Sequence, residues 1–115
     1  MSLIVVWIDM MPGDNYASAT GSAKSFFSDT HAVQFHDPER RAGEAFGKAL
    51  GAKGGKVAWD FYMFFDEGEV WKKKAPMPRE YVHQLKGSSW APKELFRKGR
   101  ELFDDLYTIA AKSKN

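Results

Sequence analysis

Five large rings fall within seven consecutive residues, Trp59-Asp60-Phe61-Tyr62-Met63-Phe64-Phe65, and a short chain accommodates such a density by burying it. Asp66-Glu67-Gly68 follows as a turn, and Glu69-Val70-Trp71 follows the turn. The pattern predicts an aromatic β-hairpin. At about 1.5–3 kcal/mol per fully buried large side chain, these rings hold a sheet to its helices rather than perform chemistry.

The 115 residues make one domain, able to bury roughly two-thirds of its unfolded surface around a single core. Seventeen basic and fifteen acidic residues leave a net charge of +2. The one dense basic run, Lys72-Lys73-Lys74, lies beside Glu67 and Glu69, so no broad cationic face is expected and nucleic acid is not an expected partner. There is no cysteine, which removes disulfides, thiolate nucleophiles, iron–sulfur ligation and cysteine-based zinc sites, and carries no information about compartment. Leu3 to Ile8 is far shorter than a membrane span, lacks the flanks of a secretion signal, and is soon followed by Asp9 and Asp14. It is read as a strand, and no membrane insertion is expected. The opening Met1-Ser2-Leu3 leaves little room before that strand, so a natural chain extending further upstream is expected.

Leu3-Ile4-Val5-Val6-Trp7-Ile8 is continuously apolar, the mark of a strand covered on both faces. Met11-Pro12-Gly13-Asp14 ends it, and Tyr16 to Phe27 reads as a helix weakened by Gly21. Ala32 to His36 alternates as a short strand. Asp37-Pro38-Glu39 then offers a capping acid, a proline for the first helical position and an early carboxylate, predicting a helix to about Leu50 with Ala42, Ala45, Phe46 and Ala49 as its apolar stripe. After the hairpin, Pro76 and Pro78 argue against a central strand, and Tyr81 to Leu85 is expected as one helical turn. Pro92 opens the last helix, with Leu95, Phe96, Leu102, Phe103, Leu106, Ile109 and Ala110 on one face over about 19 residues, roughly 28 Å of helical rise. The expected order is βαβαββα, an α/β/α three-layer arrangement with a mixed sheet and an antiparallel carboxyl-terminal hairpin.

Four segments carry a resemblance: Val5-Val6-Trp7-Ile8 running into Met11-Pro12-Gly13-Asp14; Gln34-Phe35-His36-Asp37 before a helix; Trp59-Asp60-Phe61-Tyr62 leading the hairpin; and His83-Gln84-Leu85 before the final helix. Together they resemble the carboxyl-terminal two-thirds of bacterial thioredoxin-like proteins. The resemblance implies a thioredoxin-like fold whose redox work belongs to a Cys-x-x-Cys at a helix start and an opposing cis-proline. Neither stands in this sequence, and Gly55-Lys56-Val57-Ala58 occupies the place where the proline is expected. The family's first strand–helix–strand unit would precede Leu3, and its cysteine-bearing strand would lie between the strands at Leu3–Ile8 and Trp59–Phe65. Those two strands are then expected either to pair directly or to have their apolar surface closed by a second copy of the chain, and a homodimer is the expected state.

Asp9, Asp14, His36, Asp37 and Glu39 all fall just beyond predicted strands, at the rim where open parallel sheets bind ligands. Of these, Asp9, Asp14, His36 and Asp37 are candidate metal ligands, with carboxylates for a hard cation and His36 for zinc or as a base. The stronger reading of these acids is structural: Asp37 as a helix cap, Asp14 as a turn residue after Pro-Gly, and Glu39 placed by the helix dipole. Met10, Met11, Met63 and Met77 are read as packing residues rather than soft-metal ligands. Trp7, Trp71, Trp90 and His83 are candidate binding or interface residues, His83 also fitting a hydrogen-bonded packing role. No nucleophile elbow, phosphate loop or ordered Ser-His-Asp set is present. With no catalytic residue and no cofactor assigned, the expected function is that of a thioredoxin-like module without redox cysteines, acting in binding or assembly. Two other readings stand beside it: the remainder of a thiol-disulfide oxidoreductase with an upstream Cys-x-x-Cys, and a metal-dependent hydrolase using Asp9, Asp14 and His36.

Overall fold

A computed structural model describes residues 4–27 and 33–112. Leu3, Ala32 and His31, which the sequence places at two strand starts and in a loop, lie outside the described residues. The elements are β1 (Ile4–Ile8), α1 (Tyr16–Phe27), β2 (Val33–Asp37), α2 (Arg41–Ala49), β3 (Phe61–Phe64), β4 (Glu80–His83), a 3-10 turn (Lys93–Leu95) and α3 (Arg100–Lys112). This is a small α/β domain with an antiparallel hairpin. Among the described residues its strands form two separate two-stranded sheets rather than one mixed sheet between helix layers.

β1 and β2 pair in parallel, with Ile4 opposite Val33, Val6 opposite Phe35 and Ile8 opposite Asp37. Paired residues share a face. Val5, Trp7, Gln34 and His36 are partly covered on one face, whereas Ile4, Val6, Val33 and Phe35 remain exposed on the other. The expectation that β1 is covered on both faces is therefore corrected. The helix on that side reaches only the Ile8 end, where a Cβ on Gly43 of α2 would lie 3.1 Å from the Ile8 Cδ1.

α2 starts three residues later than Pro38 predicts. The Asp37 carboxylate does cap it, but across a turn: Oδ1 accepts the Arg41 N–H (2.8 Å) and Oδ2 those of Ala42 and Gly43 (3.0 and 3.2 Å). Arg40 closes the turn in the left-handed region at φ 61°, and its N–H bonds the Asp37 carbonyl (3.3 Å). The deepest face of α2 carries Gly43 and Gly47 rather than the alanine stripe. The Ala58 N–H bonds the Gly43 carbonyl (2.9 Å), and a Cβ on Gly43 would lie 2.4 Å from the Val57 Cγ1, so the segment before β3 packs closely against α2 where the helix carries glycine.

The hairpin partner also differs from expectation. β3 pairs with β4, placing Phe61 opposite His83 and Met63 opposite Tyr81. Glu69-Val70-Trp71 is no strand, and Tyr81 is in a strand rather than a helical turn. Ring packing explains the choice, since this register stacks Phe61 against His83 at 5.0 Å and Tyr81 at 5.9 Å, while Trp90 stacks on Phe61 at 5.2 Å. Pro76 and Pro78 sit before β4, where their missing N–H groups cost no ladder bond. β1 and β3 do not pair with each other.

The last helix begins at Arg100 rather than Pro92. Pro92 opens only the 3-10 turn, Phe96 returns to extended backbone and bridges to His83, and Gly99 at φ 54° breaks the chain before α3. Leu102 and Ile109, seven residues apart, are buried; Phe103, one position off that face, is 71% exposed. The buried apolar residues are Ala19, Ala58, Ala75, Val82, Ala91, Leu102 and Ile109, so alanines supply most of a small core and most large apolar side chains are only half covered.

The glycine pair yields a stability test. A Cβ on Gly47 would lie 2.3 Å from the Lys56 carbonyl oxygen, whereas one on Gly21 would meet nothing within 4 Å. In chemical denaturation, Gly47→Ala is expected to destabilise by about 1–3 kcal/mol despite better helix propensity, and Gly21→Ala to stabilise by about 0.5–1 kcal/mol.

Candidate functional site

The parallel register brings the end of β1 beside the end of β2. Trp7 lies opposite His36, so Asp9, two residues further on, reaches the imidazole: Asp9 Oδ1 is 2.8 Å from His36 Nε2. Both side chains are largely covered, at 16% and 20% exposure. The Asp9 carbonyl accepts the Arg40 Nε–H at 2.7 Å, which ties the β1 end to the turn before α2. The Tyr16 ring, at the start of α1, sits 5.8 Å from the His36 ring with a 60° tilt. The site thus gathers one residue after β1, one from β2, one from the β2–α2 turn and one from α1.

Asp14 and Asp37 do not join this pair as ligands. Asp14 Oδ2 accepts the N–H groups of Met10 and Met11 (3.0 and 2.7 Å), and both Asp37 oxygens cap α2. Among the described residues no three His, Asp or Glu side chains converge on one ion position. Trp7 donates its Nε1–H to Gln34 Oε1 (2.9 Å). Trp71 is 45% exposed and packs edge-on against Phe46 at 5.2 Å, and Trp90 lies flat on Phe61. His83 is 1% exposed and presents no surface. Its Nε2 lies 2.7 Å from the Pro92 carbonyl and its Nδ1 accepts the Leu85 N–H (3.0 Å), so both nitrogens are used within the core.

Arg40 and Tyr16 were not candidates in the sequence, and neither carries a local signal. Arg40 matters because a turn of unusual backbone geometry aims it, and Tyr16 because of where α1 starts. Two open grooves lie elsewhere, about 420 Å³ between β4 and α3 and about 680 Å³ beside α2, and neither includes Asp9 or His36. No helix among the described residues is long and apolar enough to cross a membrane. No family model, no curated protein and no solved structure matches the chain.

Asp60 leads into β3 at φ 58°, and its carbonyl accepts the Gln84 N–H (2.9 Å). Desolvation by the surrounding chain raises the Asp60 pKa above its ordinary 3.8. Burial first, and the Asp60 charge second, raise that of Tyr62. The folded chain therefore holds the Asp60 proton more tightly than the unfolded chain does. The resulting loss of stability is absent below pH 3.8 and develops as pH rises through the folded-state value. Asparagine suits the left-handed backbone and carries no charge. Asp60→Asn is expected to raise the urea midpoint at pH 7, with the gap closing near about pH 3, and to lower the Tyr62 pKa. An unchanged or lower midpoint at pH 7 contradicts this.

Proposed function

We propose that the chain is a thioredoxin-like module without redox cysteines that works by binding or assembly, and that it does so through the open face of the β1–β2 pair. The observation that supports this reading is the contiguous patch of Ile4 (62% exposed), Val6 (36%), Val33 (53%) and Phe35 (55%), set side by side by the strand register. A two-stranded sheet with one bare apolar face is poorly self-sufficient. Covering the exposed parts of these side chains is favourable by about 1 kcal/mol each, given about 1.5–3 kcal/mol for complete burial.

The occupant that fits best is a second copy. A two-fold axis over the patch would set the same four residues against themselves, as an isologous interface requires. The patch alone falls short of the roughly 800 Å² per partner of a standard interface, so the contact must extend beyond these four residues to the surface around them. A second reading, the remainder of a thiol-disulfide oxidoreductase whose Cys-x-x-Cys lies upstream, is favoured by the division of the strands, among the described residues, into two separate two-stranded sheets. The present chain, with no thiol, cannot carry out thiol exchange itself.

Sedimentation equilibrium distinguishes these states. The wild-type chain is expected to exceed the 13.0 kDa of the monomer, with mass rising with concentration, and Phe35→Glu to sediment as a folded monomer. A wild-type mass of 13.0 kDa at all concentrations would remove the self-association reading. Insulin reduction by a longer polypeptide that includes upstream cysteines would favour the second.

A further inference from the structure

The Asp9–His36 pair is chemically more specific than binding through an apolar face requires. An ionised Asp9 can only accept a hydrogen bond. Its contact with Nε2 at 2.8 Å therefore places a ring hydrogen on Nε2, which in the neutral ring leaves the lone pair on Nδ1. No described residue bonds Nδ1, while the side-chain polar atoms that are buried among the described residues all have partners. The other described histidine, His83, has both nitrogens occupied. The pair is also held from behind, because Arg40 Nε–H bonds the Asp9 carbonyl and Asp9 N–H the Asp37 carbonyl (2.7 and 3.5 Å). The Tyr16 ring flanks the imidazole, and the whole set lies at the carboxyl ends of two parallel strands, the usual rim for ligands.

We propose that His36, oriented by Asp9, is a general-base site that accepts a proton at Nδ1 from a water adding to the carbonyl carbon of a small activated carboxylic ester. In that step the water oxygen–carbon bond forms as its proton passes to Nδ1. The carbon–oxygen bond to the leaving group then breaks, releasing an alkoxide or phenolate and the acid. The imidazolium returns its proton to solvent. Asp9 is a positioning residue: it holds the tautomer and stabilises the imidazolium without receiving the proton.

Hydrolysis of p-nitrophenyl acetate by the full chain tests the proposal. Tuned general bases contribute about 10²–10⁴-fold, and this pair, without an evident substrate pocket, is expected to give about tenfold over His36→Gln. A normal solvent deuterium isotope effect should accompany it, and His31→Gln should keep the rate. Asp9→Asn should lose most of the acceleration and shift the His36 ¹⁵N signals away from the Nε2–H form together, whereas a purely structural pair would shift the signals and leave the rate unchanged. Equal rates for wild type and His36→Gln, or an isotope effect of unity, would overturn the proposal. Should His36→Gln fail to fold, the wild-type ¹⁵N spectrum decides, since a dominant Nδ1–H tautomer would overturn it as well.

Discussion

The carboxylate of Asp37 carries more of this structure than any other side chain. It ends β2, caps the first three N–H groups of α2, and is almost fully covered, at 9% exposure. A buried carboxylate is costly unless its lone pairs are used, and here both oxygens are. Its main-chain carbonyl also receives the N–H groups of Asp9 and Arg40. α2 cannot dock at another angle without breaking these bonds. Because Arg40 sits in the turn that Asp37 closes, the position of the β1 end, and with it the Asp9–His36 contact, follows from the same cap.

A different kind of anchor holds the second sheet. His83 is the one large side chain that is fully buried among the described residues, and it joins β4 to the chain at Leu85 and Pro92 through its ring and to Arg97 through its carbonyl. Phe61 stacks on it and carries Trp90 on its rings in turn. The first sheet thus depends on charge-assisted capping and close glycine packing, the second on stacked rings around a neutral polar hub. Between them the core holds mostly alanine, and the apolar side chains of β1 and β2 stay at the surface. That imbalance is the physical argument behind the proposed binding or assembly role.

Much of the first half was legible in the sequence, because its signals are local. A β-branched run predicts β1, and Asp37 with its polar turn predicts a capped helix, though not that the cap acts across a turn. The rim containing Asp9 and His36 followed from strand ends alone, while their pairing depends on a register between residues 27 apart that no local pattern encodes. The second half was less legible. The aromatic run was correctly a strand, but its nearest candidate partner lost to one beyond Pro78, because stacking of Phe61 on His83 and Tyr81 is a long-range gain. Gly99 was a readable break before α3, and the apolar spacing across it concealed it. Nothing in the sequence marks Arg40 as a left-handed residue.

Native-state amide hydrogen exchange of Asp37→Ala tests most directly whether one carboxylate organises the first half. Loss of a cap bonded to three N–H groups is expected to cost about 2 kcal/mol, a fall of roughly 30-fold in protection. The account predicts that fall at the amides of Arg41, Ala42 and Gly43, with protection retained in the β3–β4 ladder. Unchanged protection at those three amides, or an equal loss throughout both sheets, would contradict it.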